Sequence, residues 1–345
     1  MILQRLNIES FRGMSGVLLD RLAPVTLVVG ANNAGKSSVL EAASLVLRPL
    51  NPAQWVQVAR QRDIDMAMAD GLWSLFPSSV PLQVDDGPKQ TKQLVVEGQI
   101  GGLLRRLSAT ALASLSWDSE ESGELTLRVE ARVRDGRNTP INHTMEFRPD
   151  APAQFGFGIS SSPCFTVTPA THRSTRQLVE HLSNAVDEGK KDLAVELLKL
   201  FDPDVQGLDV SASRGRDGIR VTHASRGIVD LASFGDGMRR SAALALALVR
   251  AHRGLLLIDE LEAGIHTSIL TKILTRLVQA AKLADVQILA TTHSLELIDA
   301  INAAVGEFPD HAMLYYLQRD NQQHLVRSYD QQRMIQLREG GLDLR

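Results

Sequence analysis

Gly30-Ala31-Asn32-Asn33-Ala34-Gly35-Lys36-Ser37-Ser38 is the segment whose residue types and spacing most directly specify chemistry. It fits G-x-x-x-x-G-K-[ST], with a buried-type apolar run, Val25 to Val29, before it and helical spacing after it. Gly30 and Gly35 let the backbone wrap so that successive N–H groups point at phosphate oxygens, and the positive end of the following helix adds to the attraction. In such a loop Lys36 reaches the β- and γ-phosphates of a nucleotide, and the Ser37 hydroxyl ligates Mg²⁺. Leu255 to Ile258 is a second apolar strand, ending in Asp259 and Glu260. Asp259 is expected to hold Mg²⁺ through its water shell, and Glu260 to orient and polarise the attacking water. A third polar strand end, Val286 to Ser294, offers His293 to the γ-phosphate. Ser233, Gly235 and Gly237 stand at the mouth of an apolar helix and form a second anion-binding helix end in the same chain. Because the Lys36 loop serves its own nucleotide, this second end is expected to cap the γ-phosphate held by another copy, which predicts a homodimer or a higher oligomer.

These residues need strands to carry them and helices to cover the strands. Met1 to Val29 reads as strands with a turn near Gly13 and Gly16, and Lys36 to Leu47 as a helix stopped by Pro49. From Gln93 to Phe147 the pattern has period two, with turn signals at Glu121-Ser122-Gly123 and Asp135-Gly136, which predicts an antiparallel β-subdomain. Residues 173 to 201 read as a helical hairpin hinged near Gly189. From Ile228 onward helices alternate with short apolar strands, the pattern of a mostly parallel α/β sheet flanked by helices. The division expected is an N-terminal lobe over 1–170 with the phosphate loop and β-subdomain, a helical hairpin with a return strand over 171–227, and a C-terminal lobe over 228–345.

Composition narrows the setting. The 345 residues are 44% hydrophobic, enough to bury a sizeable core, and 37 Lys+Arg against 40 Asp+Glu give a net charge of −3. Global attraction to a phosphate backbone is therefore not written into the composition, and a nucleic-acid surface would have to be a local patch, for which Arg60, Arg62, Arg105, Arg106, Lys190 and Lys191 are the candidates. The single cysteine, Cys164, cannot close an internal disulfide and reads as a small buried hydrophobe. The absence of a signal-peptide pattern or a membrane-length apolar run leads to an expected cytoplasmic location with no membrane partner.

In this order, the phosphate loop, the Ser233–Gly237 segment, the Asp259-Glu260 strand end and His293 resemble the Walker A, signature, Walker B and switch histidine of ABC-type ATPases. Glu9-Ser10-Phe11-Arg12-Gly13 is similar to the N-terminal strand and turn of the RecF/SMC/OLD group, and Ser233–Gly237 departs from the transporter signature L-S-G-G-Q. Asp259 to His266, followed by Gln287 to Ser294, is most similar to OLD-like bacterial ATPases. The resemblance implies a P-loop NTPase fold of ABC type that uses ATP and Mg²⁺, with a dimer-contacting D-loop over Glu262–His266. The nucleotide would be held by Gly30 to Ser38 and hydrolysed by Lys36, Glu260 and His293. Ser233, Gly235 and Gly237 would act in trans, and Gln154 is the candidate Q-loop glutamine. OLD nucleases continue into a Toprim domain, for which the 52 residues after His293 leave no room. The role implied is a nucleotide-switched subunit acting with a separate effector, such as a nuclease, in bacterial anti-phage defence. The alternative is a RecF-like clamp that binds duplex DNA in repair or replication.

Overall fold

A computed structural model describes residues 2–61, 66–77, 82, 87–117, 123–136, 138–148, 162–213, 216–306, 311–320, 323–341 and 343. The chain opens with a hairpin of β1 (Leu3–Phe11) and β2 (Met14–Leu19), then runs through β3 (Val25–Gly30) into α1 (Lys36–Leu47), α2 (Pro52–Arg60) and α3 (Met68–Trp73). Strands β4 (Lys89–Gln90), β5 (Leu94–Ile100), β6 (Leu103–Trp117), β7 (Gly123–Asp135) and β8 (Ile141–Phe147) carry the period-two segment. They are followed by β9 (Cys164–Val167), the helices α4 (Thr175–Asp187) and α5 (Lys191–Phe201), and the meander β10 (Val205–Ser213), β11 (Arg216–His223) and β12 (Gly227–Asp230). The last part alternates: α6 (Asp236–Arg250), β13 (Leu255–Ile258), α7 (Thr267–Leu283), β14 (Gln287–Thr291), α8 (Leu295–Val305), β15 (Ala312–Asp320), β16 (Gln323–Asp330) and α9 (Gln331–Glu339).

One sheet has the order β16-β15-β3-β14-β13-β9 and is parallel except for β16. Its central strands are apolar at nearly every position because both faces are covered. Leu256 and Ile258 of β13 and Ile288 and Ala290 of β14 join the core under α6, α7 and α8. Leu255, Leu257 and Leu289 face the other way, into a core shared with α1 and the antiparallel sheet. That second sheet has the order β2-β1-β5-β6-β7-β8, with β4 beside β6. The helical hairpin expected around Gly189 is present as α4 and α5, with Gly189 at φ +68° between them. The single return strand expected after it is a three-stranded meander instead. Cys164 is buried on β9, and burial pushes its thiol up to about 12. Among the described residues no helix is long and apolar enough to cross a membrane.

Gln287, at the start of β14, ties the two sheets together. Its Oε1 accepts the N–H groups of Ile2 (3.1 Å) and Leu3 (2.9 Å), and its Nε2 donates to the carbonyls of Leu3 (2.7 Å) and Ala23 (3.2 Å). Gln287→Leu keeps the volume and leaves these backbone groups unpaired in a buried place, each costing about 1–3 kcal/mol if nothing replaces the bond. A melting midpoint lowered by about 5 °C is expected from calorimetry. An unchanged midpoint would mean that the four groups find other partners.

The adjacent arginines of β6 separate as strand alternation requires. Arg105 turns inward, where it pairs with Asp135 at 2.6 Å and donates to the carbonyl of Leu47 at 3.1 Å. Arg106 turns outward onto Glu9 (2.5 Å) and Glu97. Lys190 pairs with Glu188 at 2.7 Å and Lys191 with Asp209. Four of the six cations considered for a nucleic-acid patch are thus matched by carboxylates, and Arg62 lies outside the described residues. Gln154 lies outside them as well.

Candidate nucleotide site

The loop between β3 and α1 takes its shape from residues that can adopt left-handed backbone. Gly30 has φ +146°, Asn33 +63° and Gly35 +96°. A Cβ on Gly30 would lie 2.1 Å from the carbonyl oxygen of Leu317 on β15, so only glycine fits there. Gly35 is the N-cap of α1 and has no side-chain cap, which leaves the first-turn amides of α1 to a ligand. Lys36 folds over the loop and donates to the carbonyls of Gly30 (2.8 Å) and Ala31 (2.9 Å). Burial lowers its pKa, and the charges of Asp259, Glu260 and Glu262 oppose that shift. Ala34 is buried in the core, while Asn32, Asn33, Gly35, Lys36, Ser37 and Ser38 line a cleft of about 610 Å³.

The acidic strand ends reach the same cleft from β13 and β14. Ser37 Oγ donates to Asp259 Oδ1 at 3.1 Å, and Thr291 Oγ1 donates to the same oxygen at 2.6 Å. Thr291 Oγ1 also accepts the N–H of Glu260 at 2.8 Å. One hydroxyl therefore fixes both acids, and it holds Glu260 in a left-handed conformation, φ +48°, that costs a non-glycine residue about 1 kcal/mol or more. Glu260 and His293 both line the cleft, and the His293 N–H donates to Glu262 Oε1 at 2.7 Å. The convergence of Ser37 and Asp259 on one point, with Thr291 behind them, is a donor set suited to a hard divalent cation that keeps part of its water shell.

The Ser233–Gly237 segment lies outside this cleft. Ser233 closes a short 3₁₀ turn and donates to the Asp230 carbonyl at 2.6 Å, Gly235 is the N-cap of α6 without a side-chain cap, and Gly237 is in the first turn. The helix begins at Asp236, two residues before the apolar spacing starts, because a helix N-terminus needs no apolar residue. Phe234, between Ser233 and Gly235, is anchored beside the His223 ring at 5.7 Å and under Arg226 at 4.9 Å.

Sequence reasoning missed several residues that shape the site. Thr291 was visible only as one of two threonines before His293. Arg240, one turn past Gly237, is fully buried and donates to the carbonyl of Thr168, itself a cleft residue, at 2.9 Å. Burial pushes the Arg240 guanidinium down to about 10 against the pull of Glu262 and Glu260. Arg319 and His324, from the C-terminal hairpin, line the cleft too. An arginine on an apolar helix was the one available signal for Arg240, and the hairpin pair had none.

The sequence matches the family described as AAA domain, putative AbiEii toxin, Type IV TA system, over residues 25–299. It is 22% identical over 363 aligned positions to an ATP/GTP phosphatase of Helicobacter pylori (strain ATCC 700392 / 26695), covering 95% of each chain. It is 33% identical over 113 positions to an uncharacterised protein of Methanocaldococcus jannaschii, covering 32% of this chain and 99% of that one. Its fold is similar to that of an SMC head solved bound to the C-winged helix domain of ScpA, with TM-score 0.52 and 11% identity over 96% of this chain and 98% of that one. With the phosphate loop, the paired acids and the ABC-type α/β sheet in place, these matches make the chain a P-loop ATPase. Matched over most of its length, it belongs to the AAA domain family that carries the AbiEii description.

Proposed function

We propose that this ATPase is a nucleotide-switched subunit that closes two ATP sites between two copies of itself and thereby controls a partner effector, such as a nuclease, in anti-phage defence. The observation that carries the paired sites is the second uncapped helix end. Gly235 and Gly237 present amides at the start of α6, outside the cleft that holds Lys36. In a two-fold pair each copy can offer that end to the nucleotide of the other. The effector and the defence setting are supported by the likeness of Asp259–His266 to OLD-like ATPases.

Within one site, Lys36 balances charge on the β- and γ-phosphates and the α1 amides hold their oxygens. Ser37 and Asp259 would hold Mg²⁺, which would neutralise phosphate charge. Glu260, fixed by Thr291, orients the attacking water and accepts its proton, and His293 contacts the γ-phosphate as charge develops there.

Mixing two inactive proteins tests the shared site. Lys36→Ala loses its own phosphate loop, and Gly235→Arg loses the end offered to its partner. A mixed pair retains one complete site. An equal mixture should regain up to about a quarter of parent phosphate release if copies pair at random around two independent sites. Native mass spectrometry verifies that mixed dimers form. Mixed dimers without recovery, together with a Glu260→Gln protein that stays monomeric in ATP, would overturn the paired-site reading.

A further inference from the structure

The cleft has a hydrolytic flank and an opposite flank. Ser37, Asp259, Glu260, Thr291 and His293 gather on the side of β3 occupied by β14 and β13. That arrangement places the γ-phosphate end of a bound nucleotide on the same side and leaves the nucleoside half to the rest of the cleft, which the β1–β2 turn (Arg12, Gly13, Met14) and the C-terminal hairpin line. On the side of β3 away from β14 the neighbouring strand is β15, and its hairpin with β16 contributes two residues to the cleft. Leu317 of β15 stands opposite Gly30 in the parallel register. Two residues on, Arg319 shares the face of Leu317 and is paired in register with His324 of β16. Both side chains line the cleft. The close approach of Leu317 to Gly30 fixes the hairpin against the phosphate loop, so the pair is carried at a set distance from it.

The chemistry of this pair differs from that of the phosphate end. Burial, with the neighbouring Arg319 charge, lowers the pKa of His324, so its ring is neutral at physiological pH. Its Nδ1 is shielded from solvent and has no hydrogen-bond partner among the described residues. A neutral imidazole does little for a triphosphate, whose charge is met by Lys36 and the α1 amides. It can exchange a hydrogen bond with a ribose hydroxyl, and a guanidinium offers a flat cationic face to a purine ring. A guanidinium that meets the ring by its face leaves its donors off the base edge and so does not separate adenine from guanine.

We infer that Arg319 and His324 form a nucleoside clamp, in which the purine of ATP or GTP stacks on Arg319 and His324 hydrogen-bonds the ribose. The inference rests on the nucleotide-site reading above and deepens it. Isothermal titration of the full chain with ATP, GTP and inorganic tripolyphosphate, each with Mg²⁺, separates the two. For the Arg319→Ala, His324→Ala double variant, ATP and GTP affinities should fall together by about tenfold, a typical loss for one stacked base, while tripolyphosphate affinity stays within twofold of the parent. Arg319→Lys keeps the charge without the plane and should lose most of the same affinity. Both residues sit on a surface hairpin, and circular dichroism verifies that the variants fold. Should the double variant be unfolded, Arg319→Lys alone decides.

ATP affinity within twofold of the parent in a folded double variant would overturn the clamp, as would equal losses for ATP and tripolyphosphate, which would make the pair a phosphate anchor. A loss confined to one purine would overturn the tolerance for both. A parent protein that binds neither ATP nor tripolyphosphate would instead sink the nucleotide site itself.

Discussion

Glu260→Gln is expected to bind ATP within a few-fold of the parent and to hydrolyse it at least about 100-fold more slowly, the usual loss when a general base is removed. The substitution keeps the shape of the side chain and leaves the backbone bond from residue 260 to Thr291 Oγ1 in place, so the loop geometry should survive. What disappears is one negative charge and one proton acceptor at the cleft wall. The lost charge also removes part of the field that supports protonated Lys36, but Asp259 and Glu262 still supply it. Single-turnover phosphate release measures the chemical step, and titration of ATP measures binding. Turnover at the parent rate would mean that Glu260 does not position the water, whatever its place beside Asp259.

Gly30→Ala should have the largest effect on the folded state. The new methyl would be built 2.1 Å from the Leu317 carbonyl at a φ of +146°, so β15 would have to leave β3 or the loop would have to change path. A loss above about 4 kcal/mol is expected, in the range reserved for steric clashes and broken cores. Thermal unfolding should show it as a midpoint lowered by at least about 6 °C, with nucleotide binding lost as well. Gly13→Ala, on the rim of the same cleft with no protein atom near its added methyl, is the control for the folded state and should leave the melting midpoint unchanged. A stable, nucleotide-binding Gly30→Ala protein would show that the hairpin is not locked to the loop.

The parts of the site that could be read from sequence are those whose chemistry is local. A phosphate loop needs its glycines, Lys36 and Ser37 within nine residues, and Asp259 with Glu260 closes an apolar strand, so both could be found without knowing what lies beside them. Period also sufficed for the antiparallel strands and for α4 and α5. Pairing was another matter: alternation in Leu94–Ile100 indicates a half-buried strand but does not name β1 as its neighbour. The same limit hid the meander, since Val205–Ser213 and Arg216–His223 have mixed polar patterns and few large apolar residues. Arg105 and Arg106 looked alike as letters, and only the partners Asp135, Glu9 and Glu97, 9 to 97 positions away, decide what each does. Thr291 was invisible for the same reason, because its importance lies in holding two residues that precede it by 31 and 32 positions.

The placement of β3 between β14 and β15 has a bearing on how the molecule is made. Gly30 is synthesised early, but its partner Leu317 leaves the ribosome 287 residues later by their numbering, about 15 to 60 s at ordinary elongation rates. Until β14 emerges, late in that interval, the apolar strand ahead of the phosphate loop lacks both of its hydrogen-bonded neighbours, and β15 follows β14. Nucleotide therefore cannot template its own site on the nascent chain. A product released early carries every residue of the loop and no site, and its unpaired strand invites aggregation or proteolysis instead of partial activity.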